Sequence, residues 1–498
     1  MLYRHRKKGV AFMRHAMISC LLAVFCSIML LTAYPAGWSD DILLTPEDVK
    51  NRGDPDITVD GHHYVWAVWD SATWVNGTGE ALFSKRDSLG ACLFAETSVS
   101  NNASYSLGPR VAVDASNNLQ IVWLNDTPLG WGLWHARLAH DGSVIVPSHL
   151  AVSGNNGGYP IEIVLNRYNE INVAWNDNVA GYDQISYTKL DSMGNPIIAR
   201  MRVSPANVFS YWPGIGVDSF ANVHLAYRAD SGPADRLAYT KLDWFGNVLI
   251  DNKFFGYGGR PTMIADHSQN IHMVYRNPTE PGITIEYLKL DQYGNILVGP
   301  LTLNPFQGNI GVRMAMDSLQ YLHVVWTRQM DPWGIVYTKL DTNGNYVIPP
   351  MPIVYQPPAL YPAEPRIAAD MSNRLHLDWM DQRVGAEDIF YKRGENETKI
   401  EEQIIPGAIK RFWISAIPNP FTRQLKIDWH SLPGGEIIKI AIFDITGKEV
   451  KNFRIEPSNK SIVWLGDDGT GKQLPGGVYF ITIFSNGKRS IAKVIKLE

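Results

Sequence analysis

Short runs of alternating apolar and polar residues fill the chain from residue 55 to residue 392, and the runs recur. Each copy opens on proline, passes through apolar positions to an Asp or Asn, turns, and ends a second run on Trp or Tyr. The copies are Pro55–Trp69, Pro109–Trp123, Pro160–Trp175, Pro213–Tyr227, Pro261–Tyr275, Val312–Trp326 and Pro365–Trp379. Their anchoring residues, Asp60, Asp114, Asn166, Asp218, Asp266, Asp317 and Asp370, lie 48 to 54 residues apart. A hairpin follows in most copies, as in Ile185–Asn195, Leu237–Asn247, Ile285–Asn295 and Ile335–Asn345. Its turn reads Asp-Xaa-Xaa-Gly-Asn. Glycine supplies the positive φ there, and Asp and Asn can bond their own backbone. Period-two alternation predicts strands, so each repeat holds four, A to D. Seven four-stranded units at this period predict a seven-bladed β-propeller.

The pattern also predicts how the ring closes. The seventh repeat ends at Asp388-Ile-Phe-Tyr-Lys392, without the Gly-Asn turn or a fourth strand. Asp41-Ile-Leu-Leu-Thr45, ahead of the first repeat, matches the D-strand pattern of Arg200–Ser204. The N-terminal segment is therefore expected to complete the last blade and hide a strand edge.

After residue 394 the pattern changes. Residues 395–412 begin with a charged stretch and read as a linker. Residues 413–498 carry new strands at Leu425–Trp429, Ile437–Phe443, Ser461–Trp464, Gly477–Phe484 and Ser490–Leu497. Turns at Asp444–Lys448 and Asp467–Gly471 separate them. This predicts a small Ig-like β-sandwich. The whole chain is expected to be all-β, with the propeller over 38–394.

Composition adds the cellular context. Arg4, Arg6, Lys7, Lys8 and Arg14 precede an uncharged apolar run from Ala16 to Tyr34, with small residues at Ala33, Ala36 and Gly37. Residues 1–37 read as a signal peptide, with a retained membrane anchor as the alternative. Removing them leaves Cys92 alone of the three cysteines, so no internal disulfide is expected. The net charge of −4 is spread without a basic run, which excludes nucleic acid as the main partner. No phosphate-binding loop, dinucleotide fingerprint, zinc-protease helix or nucleophile elbow is present, and no cofactor is expected.

Two resemblances follow from these residues. The repeats, most clearly Pro213–Asn247, resemble the sialidase-like propellers, although the Ser-Xaa-Asp-Xaa-Gly-Xaa-Thr-Trp box of sialidases is missing from every blade. That likeness is one of fold, and function does not follow from fold. Asn419-Pro-Phe, Ile442–Val450, Leu474–Phe480 and Lys493–Leu497 resemble, in order, the C-terminal sorting domain of the type IX secretion system. The Ig-like module of flagellar hook-cap proteins shares the middle pattern. The sorting-domain resemblance implies an outer-membrane secretion machinery as partner, and a secreted or surface-attached product.

Candidate chemistry lies in three places. His224, His272, His323 and His376 hold one position in strand B, and they invite a metal reading. Equivalent positions on different blades lie too far apart to share one ion, so a structural role and no metal site are expected. The position after the strand-A proline holds Asp56, Arg110, Arg313 and Arg366, with Glu162 aligned by its distance from Asn166. Strand A is innermost, so these charges should meet at one mouth of the channel. They could grip a substrate carboxylate or act as paired carboxyl groups, or they could neutralise one another. The loops expected on that face carry Trp74, Trp131, Tyr182, Tyr211, Trp212 and Trp333, with Tyr105, Tyr159, Tyr257 and Tyr361 nearby. Exposed aromatics beside polar groups suit sugar rings or peptide segments. The expected function is a surface-displayed binding protein for a glycan or protein ligand. A carbohydrate-active enzyme and a structural surface component are the alternatives.

Overall fold

The computed structural model describes residues 37–395 and 413–497, apart from 47, 49, 74–77, 102–103, 128–129, 156–157, 180, 231–234, 279–281, 305–308, 330–332, 357–361, 418–420, 431–437, 445–447, 456–460 and 486–487. The leader expected over residues 1–37 lies outside the described residues except for Gly37, as does nearly all of the linker. Two compact units divide at residue 399.

The first unit is a seven-bladed propeller. Seven antiparallel four-stranded sheets follow one another along the chain. Their A strands are Asn51–Val59, Ser106–Val113, Ile161–Leu165, Ser210–Val217, Gly259–Ala265, Asn309–Met316 and Ala363–Ala369. Each A strand packs on the A strand of the next blade, and that of blade 7 packs on that of blade 1. Strand A is thus innermost and the ring is closed. Strands B and C lie between neighbouring blades, so both of their faces are covered. In blade 3 the first seven residues of Ile171–Val179 are all buried. Strand D is outermost and mostly exposed, as Cys92–Ser98 shows in blade 1. Cys92 is a free, exposed thiol.

Closure follows the expected route and starts earlier. Ile42 pairs with Tyr391 and Leu43 with Phe390, which gives blade 7 its fourth strand. Expected over residues 41–45, the zipper already begins at Gly37, whose carbonyl accepts the Glu395 amide at 2.6 Å. Trp38 bridges Gly394 and packs edge-on against Tyr337, 5.2 Å between ring centres.

The repeated Asp and His form one internal network. Asp218 Oδ1 accepts the Phe220 and Asn222 amides, both at 2.9 Å, and so shapes the A–B turn. Its Oδ2 lies 3.3 Å from His224 Nε2, and His224 Nδ1 lies 2.7 Å from the Tyr239 hydroxyl. A carboxylate only accepts, so Nε2 carries the proton and Nδ1 accepts from tyrosine. Asp266–His272–Tyr287 and Asp317–His323–Tyr337 repeat the arrangement. Blade 7 keeps the His376–Tyr391 bond, with Asp370 at 3.6 Å. In blade 1 the Trp66 indole donates to Asp60 instead. Burial lowers the pKa of each of these four histidines. They are neutral structural links, and no group of metal-ligating side chains occurs among the described residues.

The second unit is a sandwich of a three-stranded and a four-stranded sheet. Strands Trp413–Ile417 and Glu449–Ile455 add to the five predicted from sequence. Leu425, Ile427 and Trp464 from one sheet meet Ile440, Ile442, Tyr479, Ile481 and Val494 from the other in a single core. The Asp467 region is a turn, pinned by the Trp464 indole on the Asp467 carbonyl at 2.8 Å.

Candidate functional site

Strand pairing defines the two ends of the propeller. The start of strand A pairs with the end of strand B, as Ser210 with Ala229, while His224 at the start of strand B pairs with Lys241 at the end of strand C. The first residues of strand A and the B–C loops therefore share one end. The A–B turns and the Gly-Asn turns share the other. Arg110, Arg313, Arg366, Tyr211, Trp212 and Trp333 all belong to the first end.

A feature not apparent from sequence shapes that end. In six blades strand A bulges where it enters the sheet, between Gly53 and Asp56 in blade 1 and at the matching positions of the others. The residue before the strand-A proline or valine has positive φ: Asp54 50°, Gly108 58°, Trp212 54°, Arg260 49°, Gly311 59° and Glu364 47°. Glycine at two of these positions shows what the backbone requires. A side-chain-bearing residue there costs about 1–2 kcal/mol. The bulge places Asp54, Trp212, Arg260 and Glu364 at this end, where Asp54 meets Tyr159 and Arg260 meets Trp212 and Glu364. The residue one place before the repeated proline was the available signal.

The charges at the mouth pair with one another. Arg366 grips Glu162 from across the channel with two bonds, Nη1 to Oε2 and Nη2 to Oε1, both 3.0 Å. Arg313 Nη2 donates to the same Oε1 at 3.2 Å, and Arg110 Nε lies 3.9 Å from it. Arg110 is fully buried and spends its donors on the Ile161 and Pro109 carbonyls. Asp56 accepts the Val111 amide at 2.9 Å and lies 3.7 Å from Arg366. Burial alone would raise the Glu162 pKa, but Arg366, Arg313 and Arg110 together hold it down to about 2. The five residues predicted to meet at the mouth do meet, as an ion-paired plug of three arginines on two carboxyl groups.

Further carboxyl groups, missed in the sequence, surround the plug. Tyr159 donates its hydroxyl to Asp54. Asp70 accepts the Gly108 amide at 2.8 Å, and burial together with the neighbouring Asp54 raises its pKa far above the usual carboxylate range. Asp378, paired in register with Arg366, is fully buried, and burial reinforced by Asp56 pushes its pKa up as well. Burial also raises the Tyr159 hydroxyl well above its ordinary value, which makes it a poor nucleophile.

The predicted aromatic residues separate into two groups. Tyr182, Phe209, Tyr211 and Trp212 form a row along blades 3 and 4. Neighbouring centroids are 5.0, 6.3 and 5.7 Å apart, and the middle pair is nearly parallel at 4°. Phe209, absent from the sequence expectation, is 39% exposed and completes the row. Arg228 and Arg260 lie over Trp212 at 5.3 and 4.6 Å. Trp131 instead stands edge-on to Tyr105 at 6.0 Å and packs against the core between blades 2 and 3. Trp333 is half-buried at the start of a C strand. Trp74 and Tyr361 lie outside the described residues.

Fold and tail together define an exported propeller protein of two units. Residues 415–497 match the secretion system C-terminal sorting domain, so the resemblance seen in the sequence holds for the tail. That domain engages the type IX secretion machinery, and the protein is secreted or displayed on the cell surface. No curated protein is similar to the chain in sequence. Among solved structures, a Dyadobacter fermentans protein of unknown function is similar at 9% identity and a TM-score of 0.47, covering 72% of this chain and 100% of its own. A PL25 ulvan lyase is similar at 11% identity and a TM-score of 0.49, covering 72% and 96%. PorZ, a surface component of the type IX system of Porphyromonas gingivalis, is similar at 13% identity and 0.37, covering 88% and 58%. None of these likenesses carries function to this chain.

The tail yields a prediction. Truncation at residue 412 should leave the propeller folded but trapped in the periplasm of a host with type IX secretion. Protease shaving and fractionation would check this, and surface display of the truncated protein would refute the sorting role.

Proposed function

We propose that the protein is a surface-displayed, non-enzymatic binding protein that holds a saccharide on the channel-mouth face of its propeller. In this reading residues 1–37 are removed as a leader, 38–394 form the binding unit, 395–412 tether it, and 413–498 direct export. The observation that carries the reading is the row Tyr182–Phe209–Tyr211–Trp212. Contiguous ring faces bordered by Arg and Asp match the flat apolar faces and polar edges of sugars. Catalysis is disfavoured because the acidic groups at the mouth are ion-paired, as Glu162 is, or buried, as Asp70 and Asp378 are. A pair of carboxyl groups needs room for substrate between them.

Trp212→Gly is the informative variant. It removes the stacking face and also releases a tryptophan held at positive φ. Relief of roughly 1–2 kcal/mol of backbone strain offsets the lost packing, so the melting temperature should change little. Saccharide affinity, measured by calorimetry on a ligand found by glycan array, should fall at least tenfold. Asn195→Ala and Asn247→Ala, on the opposite face, should bind as wild type. Equal losses from both faces, or turnover in a parallel hydrolysis screen, would overturn the reading.

A further inference from the structure

Beside the end of the aromatic row, where blades 4 and 5 meet, lies a pocket of about 100 Å³. Trp212, Arg228, Arg260, Arg276 and the Gly258–Gly259 backbone line it, together with Asp235. Three guanidinium groups converge there, and the carboxylates beside them pair with Arg228 and Arg260, leaving Arg276 without an ion pair among the described residues. Arg228 bonds Asp230 at 2.9 Å and Asp235 at 2.5 Å. Burial raises the Asp235 pKa, and so does its hydrogen bond to Asp230. Arg260 reaches Glu364 at 3.3 Å, and its Nε is buried without a hydrogen-bond partner. Arg276 makes no ion pair among the described residues, and its buried Nε is also unpartnered. Burial lowers its pKa, and Arg260 and Arg228 lower it further against the opposing pull of Asp235, so like charges outweigh the one carboxylate near it.

A guanidinium that is partly desolvated, beside two others and short of a counter-charge, is stabilised by an incoming oxyanion. Its forked donors suit the planar or tetrahedral oxygens of carboxylate or sulfate. The glycines matter to the shape. A Cβ on Gly259 would approach the Arg228 Cβ to 3.1 Å, and one on Gly258 would come within 2.6 Å of the Tyr275 ring. Trp212 belongs both to this pocket and to the stacking row.

The geometry points to an oxyanion subsite at Arg228, Arg260 and Arg276 that makes the bound saccharide an acidic one, its ring on Trp212 and its carboxylate or sulfate ester in the pocket. This deepens the proposed function and rests on it. Arg276 is the discriminating donor, since Arg228 and Arg260 already have carboxylate partners.

The test uses the mature full-length protein and three saccharide probes of equal length: a uronate-containing oligosaccharide, a sulfated neutral one, and the neutral parent. Wild type should bind at least one acidic probe tenfold or more tightly than the parent, and the preference should shrink as salt rises. The better acidic probe identifies the source of the oxyanion. Arg276→Gln should abolish the preference while affinity for the parent stays within twofold. Because Arg276 makes no ion pair among the described residues, melting should stay near wild type. Equal binding of acidic and neutral probes, both lost in Trp212→Gly, would leave the saccharide reading standing and overturn the oxyanion subsite. If no saccharide binds, the surface reading falls and the pocket is judged alone, by melting with millimolar sulfate or glucuronate. Stabilisation that vanishes in Arg276→Gln supports the subsite, and its absence overturns it.

Discussion

Deleting residues 38–45 should unfold blade 7 and lower the denaturant midpoint of the propeller well below that of wild type. The segment does more than add the two-residue strand Ile42–Leu43. Leu44 is buried, Trp38 packs against Tyr337, and Thr45 donates to Asp388 at 2.7 Å. Asp41 lies 2.8 Å from the fully buried Lys392 ammonium and 2.5 Å from Arg383. Burial of Leu44 alone stabilises by about 1.5–3 kcal/mol. Loss of the Asp41 carboxylate leaves a buried ammonium short of its counter-charge, at a cost of roughly 3–5 kcal/mol. Asp41→Asn therefore isolates the electrostatic part without removing the strand. Its midpoint should fall between those of wild type and the deletion. A deletion that melts as wild type would show that the ring does not depend on its N-terminal zipper.

The sequence made the architecture legible because a propeller repeats its constraints. The proline, anchoring Asp or Asn and strand-B aromatic each answer a local backbone or packing demand six or seven times, and the Gly-Asn turn does so in four repeats. Even the closing strand could be placed, since the last repeat lacks a strand and the first is preceded by one. The short strand Glu449–Ile455 escaped because its apolar positions alternate weakly with charges. The candidate site was legible only in part. Arg110, Arg313, Arg366, Asp56 and Glu162 could be brought to one mouth by register alone, whereas their mutual pairing depends on distances across the channel. Trp212, Arg260 and Glu364 gain their positions from a bulge that reverses φ, and period-two alternation carries no trace of it. Arg228 and Arg276 follow strand-B tyrosines at equivalent places in adjacent blades. Only the packing of blade 4 on blade 5 makes them neighbours.

Glu162→Gln should destabilise the propeller strongly at neutral pH without changing the shape of the side chain. The carboxylate is the shared counter-charge of Arg366 and Arg313, with Arg110 close by. All three arginines are buried or nearly so, and glutamine leaves them facing one another. Removing one partner from a buried charged network costs about 3–5 kcal/mol. The pH dependence separates this from a simple packing defect. The folded-state pKa of Glu162 is about 2, below the usual 4.5, so its contribution is fully present above about pH 4.5 and is lost as pH falls towards 2. The gap between wild type and Glu162→Gln, measured by denaturant titration, should be full at pH 7 and should close as the pH approaches 2. A double variant, Glu162→Gln with Arg366→Met, should recover part of the loss, since it removes a charge along with its partner. A gap that stays constant from pH 7 to pH 2, or no gain from the second substitution, would mean that the channel mouth is held by packing and not by its ion pairs.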